Sequence, residues 1–272
     1  GAKAGPSRAG ERYLASARAR AATIRDERSI RALDEAVVGL AEFRRGSFLV
    51  AAERFRALAR AIEEAGGART HNHLLALSNA CGSLMSAERP AELAPMLDAL
   101  KAACPAHAGA MDAHVAICES TLAMYRGQRA RYFELREGFR ARRAAEGEPR
   151  FHHLVGLVLG SYGELLWGDP VAARRENAAL MREGRAFRPM GTFYAGAFAA
   201  FCAQIEAAAL RRGDPDASVR RIARWADIAR EAPPLFGAYA IRAHAYAEDH
   251  RGRPERALAL LREAEAYAAR WD

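Results

Sequence analysis

The sequence predicts an all-α fold, an α-solenoid of about six antiparallel helix hairpins. Good helix formers, chiefly alanine, leucine, arginine and glutamate, fill the stretches between breakers, and alternating Val/Ile/Thr-rich runs are nearly absent. A glycine-centred turn recurs along the chain. Hydrophobic residues make up 51% of 272 positions, enough for a continuous core.

The recurring turn reads Arg45-Gly46-Ser47, Arg126-Gly127-Gln128, Trp167-Gly168-Asp169-Pro170, Arg212-Gly213-Asp214-Pro215 and Arg251-Gly252-Arg253-Pro254. From Gly127 the spacings are 41, 45 and 39 residues. Gly46 lies 81 residues before Gly127, two periods with a degenerate turn at Ser86 between them. Glycine suits the left-handed position that ends a helix. Asp169 and Asp214 are placed to cap the next helix, with Pro170 and Pro215 at its first position, where no N–H is needed. Five residues beyond each turn the side chain is usually small, at Ala51, Ala91, Ala173, Ser218 and Ala257, and lets two helices approach. Tyr132 breaks that rule in the third repeat. Phe55 and Leu58, Ile222 and Trp225, and Leu260 and Leu261 follow at helical spacing as buried faces.

Taken in order, residues 1–10 read as a disordered leader or cloning scar, the chain being a piece of something longer, and 11–27 as an extra helix with Leu14, Ala17, Ala21 and Ile24 on one stripe. Residues 28–272 form the repeat domain. Its hairpins pair 28–45 with 47–65, 70–86 with 90–103, 106–126 with 128–145, 149–167 with 169–184, 190–212 with 214–231, and 234–250 with 254–270.

The charge is +8 and the pI about 9.7, which brings nucleic acid into view. Yet of 41 basic residues only Lys3 and Lys101 are lysine, and the arginines are scattered among glutamates over nearly every helix. A solvated face is the simpler account. Four cysteines without dense spacing argue against a disulfide framework and for the cytoplasm. The most apolar stretch, Phe193 to Leu210, is broken by Gln204 and Glu206, so no membrane span is expected.

The segments Gly39 to Gly46 through Ala51 and Phe55, and Gly252 through Ala257, Leu261 and Ala264, resemble the tetratricopeptide pattern of small residue, turn glycine, alanine and large apolar. The period near 41 is longer than that family's usual 34. Long-helix repeats of this kind, rich in Arg and Ala with Gly-Asp-Pro turns, resemble the C-terminal sensor arms of bacterial STAND signal-transduction ATPases. The resemblance implies a right-handed superhelix and a non-catalytic scaffold that binds a protein, a peptide or a small effector. It also implies a groove lined by first helices, with contact positions at His114, Cys118 and Tyr125, Tyr162 and Leu166, Gln204 and Arg211, and Arg242 and Tyr246. Tyrosine supplies rigid amphipathic area there and arginine bidentate charge. Packing between neighbouring repeats is the competing role for each.

No cofactor, metal or catalytic group is expected. There is no phosphate loop, nucleophile elbow, HExxH helix or dinucleotide loop. Cys104, His107, His114 and Cys118 have ligand types that suit zinc. The His107–His114 gap is short for a finger, however, and Pro105 already explains the turn. His71/His73 and His152/His153 read as surface or capping residues, and Arg182, Arg185 and Arg188 with Phe187 as a solvated helix end. The alternative to a scaffold for proteins or small ligands is a nucleic-acid-associated repeat that uses the arginines.

Overall fold

The structure is a computed structural model that describes residues 15, 16 and 19 and the segments 27–104, 110–146, 163–182, 192–230 and 234–269. Every regular element among them is helical. The predicted leader, most of the extra N-terminal helix, and residues 149–162 and 183–191 lie outside the described residues. The chain divides into two compact units, Gly1–Tyr125 and Arg126–Asp272.

In the first unit the helices are α1 (Glu27–Arg45), α2 (Phe48–Glu64), α3 (His71–Ser86), α4 (Pro90–Ala103) and α5 (Ala110–Tyr125). Each packs on the next, and α3, the first helix of one hairpin, also packs on α5, the first helix of the following one. The shared core runs through Ala51, Phe55, Leu74, Leu77, Leu84, Leu93, Leu97 and Leu122. The second unit holds α6 (Arg129–Glu146), helical residues 163–167, α7 (Pro170–Arg182), α8 (Thr192–Arg211), α9 (Val219–Ala229), α10 (Pro234–His250) and α11 (Pro254–Ala268). Here α8 touches α7, α9 and α10, while α10 touches α8, α9 and α11. Phe198 and Trp225 meet edge-to-face, with centroids 5.5 Å apart, where α8 crosses α9.

The turns close largely as the glycine pattern requires, with departures at the degenerate turn, at Asp214 and at Gly168, which lacks the left-handed φ and whose N–H bonds the Glu164 carbonyl four residues back. Gly46, Gly213 and Gly252 have positive φ, and their N–H groups and those of the following residues bond back to carbonyls three and five residues earlier. In the degenerate turn that position belongs to Glu88 (φ 54°), not Ser86, with Glu88 N–H on Met85 and Arg89 N–H on Leu84. The buried position five residues on is therefore Leu93, and Ala91 is exposed.

In the second unit Asp169 caps as expected, its Oδ1 accepting from Val171 N at 2.8 Å with Pro170 first in α7. Asp214 does not start a helix. Its Oδ1 accepts from Asp216 N at 3.0 Å, Ala217 N–H bonds the Asp214 carbonyl, and α9 begins only at Val219. Ile222 then takes the buried place predicted for Ser218. Tyr132 fits in the third repeat because a first helix makes room. A Cβ on Gly163 would overlap its ring, and its hydroxyl accepts from Gly163 N at 3.1 Å.

A left-handed conformation costs an L-residue about 1–2 kcal/mol relative to glycine. Glu88→Gly should therefore raise the urea unfolding free energy by roughly 1 kcal/mol. An unchanged or lower midpoint would show that Glu88 gains something else in the turn.

Candidate functional site

The first helices α8 and α10 are buried around most of their circumference, as expected of helices packed on three sides. What they leave to solvent is narrow. On α8 the partly or fully exposed residues Gln204, Ala208 and Arg211 follow at spacings of four and three. On α10 the exposed residues Arg242, Tyr246 and Asp249 do the same, with His250 beside them. Such spacing lines up one face of a helix. Four sequence-predicted contact residues, Gln204, Arg211, Arg242 and Tyr246, lie on these two stripes.

Tyr246 organises the stripes' far end. The guanidinium carbon of Arg211 stands 5.8 Å from its ring centroid, and Arg242 Nη2 donates to its hydroxyl at 3.4 Å. A long, weak hydrogen bond and a cation–π contact each hold an arginine lightly. Both guanidinium groups stay available to a ligand. Arg211, Tyr246, Asp249 and His250 line an open cavity of about 370 Å³.

No protein-family model, curated protein or solved structure matches the chain. The site therefore stands on its own geometry.

The remaining predicted positions fall elsewhere. In the first unit, His114 is partly exposed on α5, and burial of its surroundings pushes its pKa down to about 4. Cys118, four residues on, is buried in the core beside Cys81, and that contact together with desolvation lifts its thiol well above the ordinary value. It is a packing residue, not a surface contact, because α3 covers that side of α5. Tyr125 is exposed at the end of α5, its pKa raised to about 12 by partial burial and by Glu88. Tyr162 lies outside the described residues, and Leu166 is exposed. Of the zinc candidates, His107 lies outside the described residues. Among those described, no three His, Cys, Asp or Glu side chains converge as a metal would need.

His71 is exposed, but His73 is buried and works in the interior. Its Nδ1 accepts from Arg69 N at 3.1 Å and its Nε2 meets Glu63 Oε1 at 2.9 Å, tying the α2–α3 turn to both helices. His152, His153, Arg185, Phe187 and Arg188 lie outside the described residues.

Sequence reasoning missed two buried ionic clusters. Glu206, 1% exposed on α8, accepts from Arg174 Nε at 3.0 Å, Arg221 Nε at 2.7 Å and Ser218 N at 2.8 Å. Arg174 also reaches Asp214 Oδ2 at 3.2 Å and the Asp216 carbonyl at 2.7 Å, so α7 grips the α8–α9 turn. The legible signal was a carboxylate two residues from Gln204 within an otherwise apolar helix. On α10, Glu248 faces Arg253 at 3.4 Å and Arg256 at 3.7 Å. His244 Nε2 stands 3.4 Å from Glu248 without hydrogen-bond geometry. Burial lowers the His244 pKa against the pull of Glu248, and Arg256 and Arg230 push the same way as burial. The first cluster ties α8 to both α7 and α9, and the second ties α10 to α11.

Proposed function

We propose that the chain is a non-catalytic, long-period tetratricopeptide-like solenoid whose first helices present a concave binding face for a peptide, a partner domain or a small effector. In this reading it is the sensor arm of a larger bacterial signalling or regulatory protein of the STAND ATPase type, acting in the cytoplasm. The packing of first helices on first helices, α3 on α5 and α8 on α10, supports the solenoid, since stacking of equivalent helices is how such repeats bury a continuous core. The observation that carries the function is the pair of matched stripes on α8 and α10, where Tyr246 and Arg211 line an open cavity and Arg242 bonds the Tyr246 hydroxyl beside it. Rigid aromatic area beside bidentate donors is the composition of a recognition site. No cofactor or metal enters this reading. The ligand is a protein, peptide or small-molecule partner, and nucleic acid is disfavoured because many arginines already face carboxylates, as Arg54, Arg56, Arg136, Arg174 and Arg230 do.

Substitution of both Arg211 and Arg242 by alanine should leave the unliganded Tm within a degree or two, since exposed side chains away from special features contribute little. Ligands that raise the wild-type Tm in a screen of peptides and metabolites should bind this variant at least 10-fold more weakly, the order expected from losing charge-assisted hydrogen bonds of about 1.5–3 kcal/mol each. Hits that stabilise both proteins equally would place the binding face elsewhere. A steep salt dependence of oligonucleotide binding would favour the nucleic-acid reading instead.

A further inference from the structure

The cavity between α8 and α10 collects charges of both signs that do not neutralise one another. Among the described residues, Arg211 and Arg242 have no carboxylate within ion-pair distance, and Asp249 has no cationic partner. One residue away on the same helix, the buried Glu248 gathers Arg253 and Arg256, so the cations nearest the carboxyl end of α10 are drawn to that carboxylate and not to Asp249. Asp249 and Arg211 line one cavity and still stand apart, so the space between them separates an anion from a cation.

Resting on the proposed binding role of this site, we infer that its ligand is a small zwitterion of the amino-acid class, with a carboxylate and an ammonium on one compact frame. The guanidinium group of Arg211 in the cavity wall, with that of Arg242 next to it on the Tyr246 hydroxyl, supplies planar donors for the carboxylate. Tyr246 sets both of them, one over its ring and one on its hydroxyl, which lowers the ordering cost of binding. Asp249 accepts from the ammonium. A dianion such as a phosphate monoester meets the Asp249 carboxylate as a repulsive neighbour, and a simple cation meets two arginines. Only a ligand with both signs satisfies both ends. A volume of about 370 Å³ suits such a molecule and lies at the small end of ligand sites.

The test uses the whole chain and three probes at neutral pH: an equimolar pool of the twenty free amino acids, the same pool N-acetylated, and the same pool as α-amides. Binding is followed by thermal shift and by saturation-transfer NMR. The free pool should bind, with the acetylated and amidated pools at least 10-fold weaker. Asp249→Asn should abolish the preference for free over acetylated amino acids, and Arg242→Gln should weaken the free pool by at least 10-fold. Equal or tighter binding of the acetylated pool, lost in Arg242→Gln, overturns the zwitterion and leaves an anion-binding site of the proposed kind. Absence of binding by all three pools also overturns the zwitterion, and the peptide and metabolite screen on the double alanine variant then decides the broader role independently. Binding of the free pool that survives both substitutions overturns the location.

Discussion

Glu206→Ala should destabilise the unit of residues 126–272 by about 3–5 kcal/mol, the usual cost of breaking a buried ion pair from one side. Three donors converge on the Glu206 carboxylate, and the side chain is 1% exposed. Removing it strands the Ser218 N–H and leaves Arg174, itself 14% exposed, with Asp214 and the Asp216 carbonyl. Arg221 is 46% exposed and can turn to water, which keeps the loss toward the lower end. Glu206→Gln preserves the shape and one acceptor but points an amide N–H₂ at a donor, so it should cost about half as much. The double change Glu206→Leu with Arg174→Met should recover much of the loss, because an apolar pair of similar volume avoids the desolvation that the ions suffer. Urea denaturation of wild type, Glu206→Leu, Arg174→Met and the double variant, taken as a double-mutant cycle, measures the coupling. A loss under 1 kcal/mol in Glu206→Ala would mean that water reaches the cluster.

That cluster also shows where the sequence stops being readable. Helix positions followed from Gly and Pro punctuation because a helix end is a local event: Gly46, Gly252 and the pair Asp169-Pro170 each impose their own backbone geometry. The second Gly-Asp-Pro looked identical to the first. Asp214 is instead drawn into a turn gripped by Arg174, 40 residues earlier, and no local pattern encodes that partner. The degenerate turn hid for the opposite reason, since Glu88 adopts a conformation its residue type disfavours and tertiary packing imposes it. At the candidate site, the expected positions Gln204, Arg211, Arg242 and Tyr246 fall on the narrow exposed stripes of otherwise buried helices. Asp249 and His250 were passed over, although His250 stands two residues before Gly252, the offset at which Arg211 precedes Gly213. Cys118 shared the offset of a contact residue but faces Cys81, and only the α3–α5 packing reveals it.

Lowering the pH from 6.5 to 4 should remove about 2–3 kcal/mol of stability through His114 alone. Its folded pKa is held down to about 4 by desolvation, below the ordinary 6.5. The folded state thus favours the neutral ring, whereas the unfolded chain takes up a proton near 6.5. The contribution is fully present above that value, declines as pH falls toward 4, and changes no further below it. A shift of this size corresponds to about 3 kcal/mol at one pKa unit per 1.36 kcal/mol, and the partly exposed ring brings the figure down. His114→Gln does not titrate, so the stability gap between wild type and variant should narrow in favour of the variant by that amount between pH 6.5 and 4. His244, whose pKa is also lowered, and the carboxylates are common to both proteins and cancel in the comparison. A proton NMR titration of the His114 ring gives the folded pKa directly, and a value near 6.5 with a pH-independent gap would remove the argument.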